Sequence, residues 1–265
     1  MRELFQSQVR VPLPANPSLV LVTDLDGTLL AGSPQDRRWL YSWLAAHRSE
    51  VLHIFATGRE RGSVAELFVG SEHAPLHQPH LVISDVGCTV ACGDSFELVP
   101  LVVDEIERLW SPRAERVLAL TAGEPGLEPQ PVMAERRQAF YADPASLDPQ
   151  LLERLNEEGV DCVLSDGRYL DVLPPGVNKG STLQRVLQLL ELGDAPVVVA
   201  GDTLNDLGLF QTGYAGIMVG NAEQPLRDWL PQLPKTYLAE GEGCSGILEG
   251  LRHFGFGALL DGERP

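Results

Sequence analysis

Apolar, β-branched runs that each end on a polar loop and lead into a helical pattern recur along this chain, and that repeat narrows the fold more than any other feature. Leu19 to Thr23 (LVLVT) runs into DLDGTLL, and Trp39, Leu40, Trp43 and Leu44 follow at three- and four-residue spacing. Val51 to Ala56 runs into TGR, with a helix starting over Ser63 to Phe68. Pro196 to Ala200 (PVVVA) runs into GDTLNDLGLF. Leu81 to Ser84 (LVIS) and Ala215 to Val219 (AGIMV) read as further strands. Near-continuous strands alternating with amphipathic helices predict an α/β fold built on a parallel sheet covered on both faces, with ligands at the carboxyl ends of the strands.

The texture changes between about 101 and 171. Here the pattern predicts a helix around Val102 to Trp110, an extended RRQAFYA, a helix around Pro149 to Glu158, and strands near Val160 to Leu164 and Tyr169 to Leu173. This is the mark of an α+β insertion, and 265 residues suffice for a core plus a modest second unit. The expected division is an N-terminal extension at 1–16, a core made of 17–100 and 172–265, and a cap at 101–171. The Pro/Gly-rich stretch Thr121 to Pro131 reads either as a loose linker or as a substrate lid.

Composition bears mainly on what the chain does not bind. A formal net charge of −17 argues against gripping a polyanion, so nucleic acid is excluded as an expected partner. A small phosphorylated ligand stays open, because a metal ion and one or two local cations invert the field within a pocket. Cys88, Cys92, Cys162 and Cys244 form no CxxC pair and no zinc spacing, and read as small buried hydrophobes. The N-terminus lacks the apolar core of a secretory signal, and no run reaches the ~18 to 20 residues of a membrane span. A cytoplasmic protein with no membrane partner is the expectation.

The chemistry gathers at four stations. Asp24 and Asp26 flank Leu25 at the end of the first strand, where one carboxylate can attack phosphorus and the other handle the leaving-group proton. Thr57-Gly58-Arg59, Lys179 and Gly201 to Asp206 (GDTLND) follow in order. Together they supply the cations, N–H donors and oxygen ligands that a phosphoryl group needs, and Asp24, Asp202 and a backbone carbonyl near Asp26 suit Mg²⁺. Each station has a plainer reading as well. Asp26 or Thr28 caps a turn; Thr57 and Gly58 form a helix cap; Lys179 is a solvated helix-start lysine; Asp202, Asn205 and Asp206 cap the LGLF helix. Arg59 either forks onto a substrate oxygen or lies on the surface of the next helix.

At these residues the chain resembles the haloacid dehalogenase superfamily of phosphatases: DLDGT is similar to its first motif, ATGR to its second, NKG to its third and GDTLND to its fourth. The resemblance implies a Rossmann-like core with an inserted α/β cap of the Cof-like kind. Asp24 would be the nucleophile, Asp26 the general acid and then base, and Thr57 and Lys179 the phosphate holders. Asp24, Asp26 and Asp202 would hold Mg²⁺ with Asn205 and Asp206 in support, and Gly58 and Arg59 would contact the substrate.

Within the superfamily, DVGCTV, SDGRYLDVLPPGVNKG, GIMVGNA and GILEGLRHFGF resemble the sucrose-6-phosphate phosphatase branch, which includes phosphatases of glycosides such as mannosylfructose phosphate. This implies Mg²⁺-dependent hydrolysis of a small sugar phosphate, sucrose 6-phosphate first among them, through an aspartyl-phosphate. It also places Gly87, Arg137, Asp171 and Asn178 where pocket and cap meet, as sugar contacts. Two departures stand out: Cys88-Thr89 follow Gly87 where Ser-Glu is expected, and RRQAFY replaces a lysine-containing cap segment. The rival readings are a phosphomutase of the same fold and a non-catalytic partner associated with a glycosyltransferase. The second would show a lost carboxylate, and Asp24, Asp26, Asp202 and Asp206 are all present.

Overall fold

The computed structural model describes residues 1–69 and 76–262. Strands β1 (Leu19–Thr23), β2 (Val51–Ala56), β3 (Leu81–Ser84) and β4 (Thr89–Cys92) come first in the chain. Strands β5 (Leu127–Pro129), β6 (Gln138–Ala142), β7 (Asp161–Ser165) and β8 (Tyr169–Leu173) form a separate sheet, and β9 (Val197–Gly201), β10 (Ala215–Met218) and β11 (Thr236–Leu238) return to the first. The larger sheet has the order β11-β10-β9-β1-β2-β3-β4, and every pairing in it is parallel except β3 with β4.

That antiparallel edge differs from the expected parallel sheet. Its cause is local: β3 turns at once through Asp85, Val86 and Gly87, all at positive φ, and four residues leave no room for the crossover a parallel partner requires. The smaller sheet has the order β5-β6-β8-β7, all antiparallel. The stretch read as linker or lid contributes its edge strand, because Glu128 and Pro129 pair with Tyr141 and Phe140.

Every residue of β1, β2 and β9 is buried, as both faces of the sheet are covered by helices. Strand alternation then divides the core. Val20 and Val22 join one apolar cluster with Leu183, Val186 and Leu187, whereas Leu19 and Leu21 join another with Leu40, Trp43 and Leu44. These partners come from α2 (Pro34–Ala46) and from the helix that follows the smaller sheet. In chain order the helices are α1 (Arg2–Gln8), α2, α3 (Arg61–Glu66), α4 (Pro100–Trp110), α5 (Ala114–Thr121), α6 (Leu151–Glu157) and α7 (Lys179–Leu189). Then come α8 (Leu207–Phe210), α9 (Gln224–Arg227), α10 (Cys244–His253) and α11 (Gly257–Asp261).

The N-terminal residues are part of the first cluster, since Phe5 of α1 is fully buried there beside Val9 and Val11. Burying a Phe side chain stabilises by about 1.5–3 kcal/mol, enough to anchor the segment. A third cluster fills the space between the smaller sheet and α5 and α6 through Phe140, Leu155, Leu170 and Val172. The four cysteines are free, and Cys88, Cys92 and Cys244 are buried. Among the described residues no helix is long and apolar enough to cross a membrane.

Candidate active site

The central strand β1 lies between β2 and β9, so the residue leaving its carboxyl end is flanked by the loops of both neighbours. Asp24 occupies that position, its N–H donating to Ala200 O at 2.9 Å. The chain then makes one wide turn over Leu25–Leu29, reversed at Gly27, where φ is 78°. Only glycine fits there, because a Cβ would overlap the Asp202 carboxylate as well as strain the backbone. Thr28 closes the same contact by donating its hydroxyl to Asp202 Oδ1 at 2.7 Å.

Lys179, the first residue of α7, is fully buried and reaches into this cluster. Its Nζ donates to Asp24 Oδ1 at 2.8 Å, Asn205 Oδ1 at 2.5 Å and Asp206 Oδ1 at 2.7 Å, which uses all three ammonium protons. Burial alone would push the ammonium pKa down; Asp206 and Asp24 outweigh it, and the pKa is raised. Burial also raises Asp24 well above the usual carboxylate range against the pull of Lys179, and Asp206 and Asp202 add to the rise. Asp202 is lifted to about 7, by burial first and by Asp206 next. Of the plainer readings, the solvated lysine does not survive, since no part of Lys179 reaches solvent.

Ligand oxygens of Asp24, Asp202 and Asp206 lie within 4.8 Å of one another, a hard-oxygen set suited to a small divalent cation. The three are not equivalent. Asp206 Oδ1 is committed to Lys179, and its Oδ2 accepts from Asp202 N–H at 2.9 Å and Thr203 N–H at 3.1 Å. Asp24 and Asp202 each keep an Oδ2 that accepts no hydrogen bond from the described residues. Asn205 turns its oxygen to Lys179.

Thr57 directly follows β2, which pairs with β1. It is buried, its N–H donates to Ile83 O at 2.8 Å, and its Oγ1 accepts from Arg59 N–H at 3.2 Å, while its hydroxyl proton has no acceptor among the described residues. Arg59 touches α3 and also reaches Asp26. It forks onto Asp26, Nε donating to Oδ2 and Nη2 to Oδ1, both at 2.6 Å, while Nη1 donates to Ser63 Oγ at 3.2 Å. That fork raises the Arg59 pKa, chiefly through the hydrogen bonds to Asp26.

The remaining candidates fall into two groups. Asn178 caps α7, its Oδ1 accepting from Gly180 N–H at 2.9 Å and Ser181 N–H at 3.0 Å. Gly87, at φ 105°, packs on the Asn178 backbone so closely that a Cβ would overlap it, and its carbonyl accepts from Thr182 Oγ1 at 2.7 Å. Both therefore position Lys179 from beneath. Arg137 and Asp171 instead link the two sheets. Arg137 is buried, pairs with Asp171 of β8 and with Asp85 at 3.3 Å, and donates to Gly58 O at 2.9 Å. Burial pushes the Asp171 and Asp85 pKa values up, opposed by Arg137.

Sequence reasoning missed Asp85, although it follows the LVIS strand just as Asp24 follows LVLVT. It also missed Glu60 and Glu135. With Asp85, Thr89 and Met133 they line a cleft of about 130 Å³ between the sheets, where Met133 N–H donates to Glu60 Oε2 at 2.6 Å. A larger cavity, about 460 Å³ beside Tyr41, Arg48 and His77, shares no residue with this cluster.

The chain is similar to proteins already known. The model of the sucrose-6F-phosphate phosphohydrolase family matches residues 17–255. A glucosylglycerol-phosphate synthase of Pseudomonas anguilliseptica is 40% identical over 239 residues, covering 90% of this chain; the chain spans only 31% of that protein. A mannosylfructose-phosphate phosphatase of Agrobacterium fabrum is 30% identical over 90% of this chain and 98% of its own length. Among solved structures, the sucrose-phosphatase of Synechocystis in complex with sucrose and phosphate superposes with a TM-score of 0.80 at 29% identity, over 90% of this chain and 98% of that one.

Proposed function

Since the chain belongs to the sucrose-6F-phosphate phosphohydrolase family, within the haloacid dehalogenase superfamily, we propose that it is a phosphoric monoester hydrolase whose substrate is a glycoside phosphate cleaved through Asp24. One observation carries the assignment of the nucleophile: Asp24 sits buried at the end of the central strand with Lys179 on one oxygen and the other accepting no hydrogen bond from the described residues.

The free Asp24 oxygen attacks phosphorus, and the bond from phosphorus to the sugar oxygen breaks as Asp26 gives that oxygen a proton. Water then attacks the aspartyl-phosphate, Asp26 takes its proton, and Asp24 is released with inorganic phosphate. Lys179 offsets charge on Asp24 throughout, and the Thr57 hydroxyl is free to donate to a phosphoryl oxygen. Both oxygens of Asp26 accept hydrogen bonds from Arg59 in this state. Acting as an acid requires Arg59 to leave it, and an arriving phosphate dianion is the competing anion.

Mg²⁺ would be held by the Asp24 oxygen that does not attack, the uncommitted oxygen of Asp202 and the Asp26 carbonyl, and would neutralise charge on the phosphoryl oxygens. Asp206 and Asn205 support that set without facing it. The names of the relatives converge on phosphorylated glycosides of two small units, and the cleft beside Asp85, Glu60 and Glu135 offers acceptors for sugar hydroxyls.

The test is phosphate release from glucosylglycerol phosphate, sucrose 6-phosphate, mannosylfructose phosphate and glucose 6-phosphate, with Mg²⁺ or excess EDTA. Asp24→Asn serves as the control. Mg²⁺-dependent release from one of the glycosides, lost in Asp24→Asn, is the expected result. Release from glucose 6-phosphate alone would overturn the glycoside assignment, and turnover by Asp24→Asn would overturn the nucleophile.

A further inference from the structure

The VGNA segment after β10 has no part in the mechanism above, yet it reaches the turn that carries Asp26. Asn221 donates its Nδ2 to Gly27 O at 2.7 Å and accepts the Gly243 N–H on Oδ1 at 2.9 Å. A carboxamide is suited to this because it offers a donor and an acceptor side by side. We propose that Asn221 is a positioning residue for the reaction, clamping the Gly27 peptide to the start of α10 and so fixing the turn that aims Asp26.

The need for a clamp follows from the backbone. The turn is reversed at a glycine, the residue with the widest choice of φ and ψ, so the peptide after Gly27 has no steric reason of its own to hold one orientation. On its inner side the Gly27 Cα lies against the Asp202 carboxylate, and Thr28 bonds the same group. Farther along, the turn is fixed by backbone: Cys244 N–H donates to Ala31 O at 3.1 Å, and Gly32 and Gly243 pack so closely that a Cβ on either would overlap the opposite strand of chain. Between these two anchored points stands the Gly27 carbonyl, and the side-chain bond it receives is that of Asn221. The Asp26 side chain is itself 56% exposed, so burial does not hold it. Its aim depends on the turn and on Arg59.

This inference rests on Asp26 being the acid and base. Asn221→Asp keeps the acceptor for Gly243 N–H and replaces the donor to Gly27 O with an oxygen that repels it. The measurement is kcat/KM on two esters, p-nitrophenyl phosphate and whichever glycoside phosphate of the panel above the wild type turns over fastest. The aryl group leaves as a phenolate and needs no proton, whereas the sugar alkoxide does. A misaimed Asp26 therefore lowers kcat/KM on the glycoside by ~10-fold or more, and on the aryl ester by less than ~3-fold. Asn221→Ala should share that selectivity, and the thermal midpoint should stay within about 3 °C of wild type. Equal losses on both esters, or no loss on either, would overturn the proposal. If Asp24→Asn still cleaves either ester, the assigned nucleophile fails instead, and the ratio between the esters still reports on Asn221.

Discussion

Lys179→Met is the substitution that most directly probes how the cluster is held together. Methionine matches the lysine stem in length and removes only the charge and its three hydrogen bonds, from a position with no solvent access. Asp24 and Asp206 are then left facing each other without the cation that links them, and stranding one side of a buried ion pair costs about 3–5 kcal/mol. The Lys179 pKa is raised on folding, so its contribution is complete at any pH below its unfolded value and lost only as pH rises through the folded one. An assay at pH 7.5 therefore sees the whole effect.

Urea denaturation in EDTA should show that loss at unchanged m, together with a fall in thermal midpoint of about 2–4 °C per kcal/mol for a chain of this size. Repeating it at pH 5.5 should shrink the deficit, because Asp202 already titrates at about 7 and a bound proton replaces part of the missing charge. A loss below about 1 kcal/mol at pH 7.5 would refute the reasoning, for it would mean that the carboxylates tolerate one another without Lys179.

Two further outcomes follow from buried groups away from the nucleophile. Arg137→Met strands both Asp85 and Asp171; we expect a loss of about 3–5 kcal/mol in urea, partly restored by adding Asp171→Asn, and full additivity of the two changes would refute the pairing. His80 is fully buried, and burial, then Arg48, lower its pKa to about 4, while the unfolded chain titrates near 6.5. Between those values the unfolded state binds the extra proton, so stability falls as pH falls. His80→Gln should make the loss between pH 7 and pH 5 smaller by about 2 kcal/mol than in wild type, and an unchanged loss would show that His80 does not stay neutral.

How far the sequence discloses this molecule depends on which contacts are fixed by the order of strands. Asp24, Thr57 and Asp202 all leave the carboxyl ends of parallel strands, and β1, β2 and β9 are adjacent, so reading each strand also reads which loops converge. The burial of both sheet faces made those strands continuous and apolar, hence legible. The reversal of β4 carries no such signal, because Thr89 to Cys92 is short, apolar and compatible with either direction. Lys179 was ambiguous as a helix-start lysine until packing placed Gly87 against the Asn178 backbone and directed the side chain inward.

Contacts that depend on how separate segments dock are the ones the sequence hides. Arg137 meets Asp85 across 52 residues, and Asn221 meets Gly27 across 194, with no periodicity to announce either. Arg59 shows the same limit at closer range. Its position after Thr57-Gly58 allowed a substrate oxygen or the helix surface, and the structure has it on a third partner, Asp26, 33 residues back along the chain. On the proposed mechanism, substrate gripping and acid–base control would both run through one guanidinium, because an anion that recruited Arg59 would also free Asp26. Coupling of that kind needs no residue beyond those the motifs contain; it needs only the two loops to end on adjacent strands, which β1 and β2 do.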